Sequence, residues 1–207
     1  MVKLYIDFDG VIKNTIAYMY QEMDKLGIEW RGVHTNSKEV VEYIKNLDWE
    51  YLLHNTSFIN NSIKAIKEII NTDLYDVKIL THINSKNEAI QKEIYLKKVL
   101  PEVEVITVPK QIDKAKFVDA MGAILVDDYK ANLKIWKHHG GIPIHFDEER
   151  CKSDYPVISC LFEIIDLTYD YAKKIKEKET KKETSEEVKP KEEKQLTMSD
   201  FFEEFKI

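Results

Sequence analysis

Asp7-Phe8-Asp9-Gly10-Val11 sets two carboxylates at i and i+2, where the apolar run Lys3–Phe8 stops. Acids at that spacing on an extended chain project to one side. Carboxylates brought that close repel, so they need a proton to share or a cation between them. A divalent ion with oxygen ligands, Mg²⁺ first, meets the need. Gly10 lets the backbone turn sharply behind the acids. Asp-Gly after a strand is also a common turn, but an apolar strand followed by DxDGV is a far more restrictive pattern. A second acid pair, Asp127-Asp128, follows the apolar run Ala123–Val126. Two adjacent carboxylates at the end of a buried strand are costly without a cation. With Asp7 and the backbone at Asp9 they complete a hard-oxygen site, although one of them can instead cap a helix. Thr81 ends the run Val77–Thr81 and offers a hydroxyl to a phosphate oxygen, in a place where threonine is common anyway. Lys110, Lys114 and Lys116 supply a cation to neutralise a phosphoryl group and an attacking carboxylate. Spacing alone does not choose among them, and a solvated face accounts for at least two.

The elements that must position these groups alternate. Short apolar runs at Lys3–Phe8, Val77–Thr81, Val103–Val108, Ala123–Val126 and Ile142–Phe146 read as buried strands. Helical patterns fall between them, at Asn87–Val99 with Ile90, Ile94, Leu96 and Val99, and at Ala131–His139, which stops at Gly140-Gly141. Pro156–Tyr171 reads as a closing helix. Alternation of this kind predicts an α/β fold, a doubly wound parallel sheet covered on both faces. Residues 15–71 break the alternation. They hold helical pieces at Ile16–Leu26, Lys38–Leu47 and Asn61–Ile70, and are too long for a loop. They predict a helical cap inserted after the first strand, over the carboxyl edge where such sheets bind ligands.

Composition bounds the function. The 207 residues are 43% apolar and 11% aromatic, enough to fill a core, and no apolar run is long enough to span a membrane. An acid at position 7 interrupts what a signal peptide would keep apolar. The only cysteines, Cys151 and Cys160, lack metal or disulfide spacing, so a cytoplasmic setting is expected. The net charge of −6 opposes binding nucleic acid through an overall field, and no strong direct contact with it is expected. Residues 173–207 carry ten positive and ten negative charges, so the whole −6 lies in residues 1–172. Within them, residues 173–194 hold nine Lys and seven Glu among 22 positions. So little apolar surface does not offset ordering entropy, and a charged disordered linker is expected, with a solvated helix held by Glu–Lys pairs as the alternative.

Taken together, the four motifs resemble those of the haloacid-dehalogenase-like (HAD) phosphohydrolases across roughly residues 3–146. The resemblance implies a HAD-like (Rossmannoid) phosphatase domain over 1–172 with its cap at about 15–71. It implies Asp7 as the nucleophile that becomes an aspartyl phosphate, and Asp9 as the acid that protonates the leaving oxygen and later activates water. Thr81 would hold the phosphoryl group and Lys114 would be the motif lysine, with Lys116 its rival. Asp7, Asp9, Asp127 and Asp128 would hold Mg²⁺. Within the family, DFDGV and LVDDYKANLKIWKHHGGIPIHF look most similar to the 5′(3′)-deoxyribonucleotidase type, which implies a small phosphomonoester substrate, a nucleoside monophosphate. Tyr18, Trp30, Trp49, Tyr51 and Phe58 of the cap are candidates to stack on a base, with packing on the sheet edge the plainer role for at least three.

Residues 195–207 are apolar again. Gln195, Met198, Phe201 and Phe202 resemble the PIP-box by which replication and repair proteins bind the DNA sliding clamp. At the end of a charged tether such a peptide is accessible, which makes a clamp the expected partner. The same motif raises a DNA 3′-phosphatase delivered by the clamp as the alternative reading, and a non-catalytic adaptor as a third.

Overall fold

The computed structural model describes residues 1–32 and 37–186. Strand β1 (Val2–Ile6) is followed by four helices, α1 (Thr15–Lys25), α2 (Lys38–Lys45), α3 (Trp49–Asn55) and α4 (Ser62–Asn71). Then come β2 (Tyr75–Ile83), α5 (Lys86–Val99), β3 (Glu104–Pro109), α6 (Lys114–Phe117), β4 (Ile124–Asp127), α7 (Lys130–His138) and β5 (Ile142–Phe146). A two-residue strand, β6 (Val157–Ile158), and α8 (Glu163–Glu186) close the described chain. The six strands pair in parallel in the order β3-β2-β1-β4-β5-β6.

The period of two along the strands sorts side chains between two buried faces. Leu4, Ile6, Ile79, Ile124 and Val126 share one core with Ala65, Ile66 and Ile69 of α4 and with Ile164 of α8. Tyr5, Leu80 and Leu125 point the other way, into a second core with Leu133 and Trp136 of α7. Strands buried on both sides are the reason these segments read as apolar runs.

The expected strands and most helices are present. Asp48 begins a helix that was not expected, α3, its side chain accepting from the Tyr51 N–H, while Trp49, Leu52 and Leu53 are buried beneath it.

The closing helix differs from expectation at both ends. Pro156 accepts from the His145 N–H, and Val157–Ile158 continue as an edge strand on β5. Glu163 then collects the N–H groups of Ser159 and Cys160 at 3.0 Å each, which starts α8 seven residues later than Pro156. At the other end the expected disordered linker 173–194 is helical through Glu186. Burial of Ala172 and packing of Ile175 carry the helix past the core boundary. Lys176 Nζ then binds Asp73 Oδ2 at 2.6 Å, and Glu179 pairs with the amino group of Met1. Ties to the folded body hold a charged helix that its own Glu–Lys pairs would leave marginal.

Candidate active site

The strand order reverses direction between β1 and β4, and a ligand crevice opens beyond the carboxyl ends of strands at such a point. Asp7 follows β1 and Asp127 ends β4, so the two acid motifs face each other there. The Asp7 N–H donates to the Val126 carbonyl at 2.9 Å, prolonging the pairing to the first acid. The chain then folds into a tight loop, with Ile12 N–H and Lys13 N–H both on the Phe8 carbonyl at 3.0 Å. Gly10 sits in that loop at φ +75°, and a Cβ there would collide with Asp128 Oδ2. Only glycine provides both the conformation and the clearance.

Three carboxylates converge. Asp7, Asp127 and Asp128 each place one oxygen so that all three lie within 4.8 Å of one another. The Lys114 ammonium is buried between two of them, 2.9 Å from Asp7 Oδ1 and 2.7 Å from Asp127 Oδ2. Lys116, two residues on, points away with its side chain 61% exposed and pairs with Asp113 at 2.7 Å. Burial pulls the Lys114 ammonium down, but Asp127 and Asp7 outweigh it and hold it above the ordinary lysine range. Asp127 is held on both oxygens: Oδ1 accepts from the Tyr129 N–H at 2.8 Å, Oδ2 from Lys114, and Asn132 Nδ2 reaches both oxygens. It thus serves the turn into α7 as well as the acid cluster.

Asp7 Oδ1 accepts from the Phe8 N–H at 2.8 Å and from Lys114, while Oδ2 accepts no hydrogen bond among the described residues. Burial, then the charges of Asp127 and Asp9, push the Asp7 carboxyl up to about 6 despite Lys114. Burial and the charges of Asp7 and Asp127 push Asp128 to about 8. Two carboxyls held that far above the ordinary range have one cation too few. An oxygen-only donor set with surplus negative charge fits Mg²⁺.

Asp9 stands apart. Its side chain is not one of the three that converge. Oδ1 accepts from Thr15 Oγ1 at 2.7 Å, and Oδ2 faces Lys92 Nζ at 2.5 Å and Thr81 Oγ1 at 3.3 Å. Any contribution of Asp9 to a metal therefore comes from its backbone. Thr81, fully buried, also lies 3.2 Å from the His82 carbonyl and 3.2 Å from Lys92 Nζ.

Sequence reasoning missed Lys92 and its partner Glu88. The pattern of α5 predicts Ile90 and Ile94 inward, but they are 53% and 47% exposed, and the buried stripe is Glu88, Lys92 and Leu96. A Glu and a Lys four apart read as a solvated surface pair. The available signal is Ser85-x-x-Glu88 directly after the Thr81 strand: Ser85 Oγ accepts from the Glu88 N–H at 3.1 Å and sets the helix entry beside the site.

Of the cap aromatics, Trp49 is buried under Lys92, Phe58 packs beneath Lys13, and Trp30 stacks on Tyr20 at 3.8 Å. Tyr18 and Tyr51 line a cap cavity of about 510 Å³ whose other polar walls include Glu22, Glu39, Glu42 and Asp48. Gln195, Met198, Phe201 and Phe202 lie outside the described residues. None of the described helices is long and apolar enough to cross a membrane.

No protein-family model matches the sequence, and no curated protein matches it. Solved structures do match in fold. A HAD-superfamily hydrolase, subfamily IA, from Geobacter sulfurreducens is 15% identical with a TM-score of 0.55, over 81% of this chain and 99% of that one. A HAD phosphatase from Thermococcus onnurineus is 17% identical with a TM-score of 0.53, over 81% and 97%. The D,D-heptose 1.7-bisphosphate phosphatase from B. bronchiseptica, solved with magnesium and phosphate, is 12% identical with a TM-score of 0.51, over 83% and 99%. The chain therefore has the HAD-like Rossmannoid fold, with the cap inserted between β1 and β2.

Proposed function

We propose that the chain is a Mg²⁺-dependent phosphomonoester hydrolase working through an aspartyl phosphate on Asp7. The observation that carries this reading is the convergence of Asp7, Asp127 and Asp128 around buried Lys114 at the strand-order reversal. The neighbouring folds, a HAD phosphatase and a sugar-bisphosphate phosphatase among them, support it. Asp7, Asp127 and Asp128 would hold the ion, with Asp9 adding its backbone. When bound, Mg²⁺ offsets the negative charge that otherwise keeps an anionic ester away from a carboxylate.

The chain's own groups then divide the chemistry. Asp7 Oδ1 is fixed by Phe8 and Lys114, which leaves Oδ2 to attack phosphorus. As that P–O bond forms, the ester P–O bond breaks and Asp9 gives the leaving oxygen its proton. Water then attacks phosphorus, Asp9 takes a proton from it, and the bonding pair returns to Asp7. Lys114 steadies Asp7 throughout, and Thr81, its hydroxyl turned to Asp9 and the His82 carbonyl here, would rotate it to meet the phosphoryl oxygens.

We assign the substrate to the nucleoside monophosphates, on the similarity of the DFDGV and LVDDYK segments to the deoxyribonucleotidase type. We place the enzyme in the cytoplasm, where its two cysteines, both free, are at home. Through Gln195, Met198, Phe201 and Phe202 it docks on a DNA sliding clamp, a reading that rests on the sequence motif.

The test is phosphate release with Mg²⁺ from a panel of nucleoside monophosphates and sugar phosphates and from a 3′-phosphorylated oligonucleotide. Asp7→Asn serves as the blank. Turnover of monophosphates, lost in Asp7→Asn, is the expected result. Turnover of the oligonucleotide alone would make the chain a DNA 3′-phosphatase. Turnover of sugar phosphates alone would remove the nucleotide assignment. No turnover of any ester, with clamp binding intact, would make it an adaptor.

A further inference from the structure

The Lys92–Glu88 pair of α5 belongs to none of the four motifs, yet it is buried against the group assigned to proton transfer. Lys92 is wholly inaccessible. Its Nζ donates to Asp9 Oδ2 at 2.5 Å and Glu88 Oε1 at 2.7 Å, and its third proton is shared between Thr81 Oγ1 and the His82 carbonyl, each at 3.2 Å. The rings of Trp49 and Phe8 lie 4.8 and 5.5 Å from it and exclude water. Glu88 is fixed in turn, its Oε2 accepting from the Asn84 N–H at 2.8 Å and Asn84 Nδ2 at 3.3 Å. A buried ammonium with every proton committed is a rigid support, and taking either partner away would leave a charge stranded.

The two oxygens of Asp9 consequently differ. An ammonium only donates, so Oδ2 can face Lys92 only as an acceptor. Oδ1 faces the Thr15 hydroxyl, which donates or accepts as its rotor turns. Oδ1 can therefore carry a proton or give it up without leaving its neighbour unsatisfied.

We propose that Lys92, held by Glu88, is the positioning residue for Asp9: it pins Oδ2 and confines proton exchange to Oδ1. This deepens the proposed hydrolase reading and rests on it. In the second half of the reaction a water oxygen bonds phosphorus and its proton passes to Asp9 Oδ1. The P–O bond to Asp7 breaks, its electron pair returns to the Asp7 carboxylate, and phosphate leaves.

The choice of leaving group separates this role from a merely structural one. p-Nitrophenolate departs without a proton, so phosphorylation of Asp7 by p-nitrophenyl phosphate does not call on Asp9. Hydrolysis of the aspartyl phosphate always does. Lys92→Met is expected to give a burst of about one p-nitrophenolate per enzyme in stopped flow, followed by a steady rate about 100-fold below wild type, the scale of a lost acid–base catalyst. Phosphoenzyme should accumulate. An alkyl monophosphate should give no burst. Lys92→Arg should restore part of the steady rate, and Glu88→Gln should shift the same readouts in the same sense by a smaller factor. Melting curves establish that each variant is folded, and Glu88→Gln decides the matter if Lys92→Met is not. Equal loss of burst and steady rate, or no loss, would overturn the proposal. A wild type inert towards both esters would instead overturn the hydrolase reading.

Discussion

Replacing Asp128 by Asn removes one of the three converging carboxylates and keeps its shape. A carboxyl that ordinarily ionises near 3.8 but holds its proton to about 8 in the folded chain disfavours folding wherever it must be charged. The sign follows from proton counting. Between those two values the folded chain binds more protons than the unfolded one, so stability falls as pH rises. At 1.36 kcal/mol for each pH unit, the penalty at pH 8 is about 5 kcal/mol, and at pH 5 about 2 kcal/mol. The Asp128 side chain reaches solvent in part, which lowers the first figure to about 2–4 kcal/mol. Asp128→Asn is therefore expected to stabilise the chelator-treated protein at pH 8. At 2–4 °C per kcal/mol for a chain of this size, its melting midpoint should rise by about 4–16 °C there and by less at pH 5. Mg²⁺ should raise the wild-type midpoint most at pH 8 and leave the variant nearly unmoved. Differential scanning calorimetry with and without Mg²⁺ measures all four numbers. A variant less stable than wild type at pH 8, or a difference independent of pH, would refute the account of three crowded carboxylates.

Lys114→Met strips the cluster of the ammonium buried between Asp7 and Asp127 and should destabilise the fold by about 3–5 kcal/mol in urea denaturation. Lys116→Met, at an exposed pair, should change stability by less than about 1 kcal/mol. Gly10→Ala forces a positive φ on a side-chain residue and drives its Cβ into Asp128. It should lose about 1–3 kcal/mol of stability and most Mg²⁺-dependent phosphate release, measured by melting and by phosphate assay. Phe201→Ala with Phe202→Ala should abolish retention on an immobilised sliding clamp, and unchanged retention would end that assignment.

The residues that could do chemistry were legible because strands and helices leave different one-dimensional traces. Apolar runs marked β1, β2 and β4, and Asp7 and Asp127 stand at or next to the ends of their strands, while β2 continues two residues past Thr81 to Ile83. The long interval without a strand marked the cap. Misreadings arose where charged residues find partners far away in the chain. On α5 the sequence offers Ile90 and Ile94 as the inner face, but the site claims Glu88 and Lys92, and the isoleucines turn outward. On α8, Lys and Glu resemble a linker until Asp73 and the Met1 amine are found beside Lys176 and Glu179.

What the sequence by itself determined is the succession of elements and the identity of the acids at their ends, because local patterning and turn chemistry act over a few residues. Only the tertiary structure decided that Lys114 and not Lys116 enters the acid cluster. It also decided that the Asp9 side chain leaves the cluster for Lys92, and that three carboxylates meet within 4.8 Å. The physical reason is common to all three. The energy of a charge depends on which other charges lie within a few ångströms and on how much water remains between them, and both are set by the stacking of elements far apart in the chain.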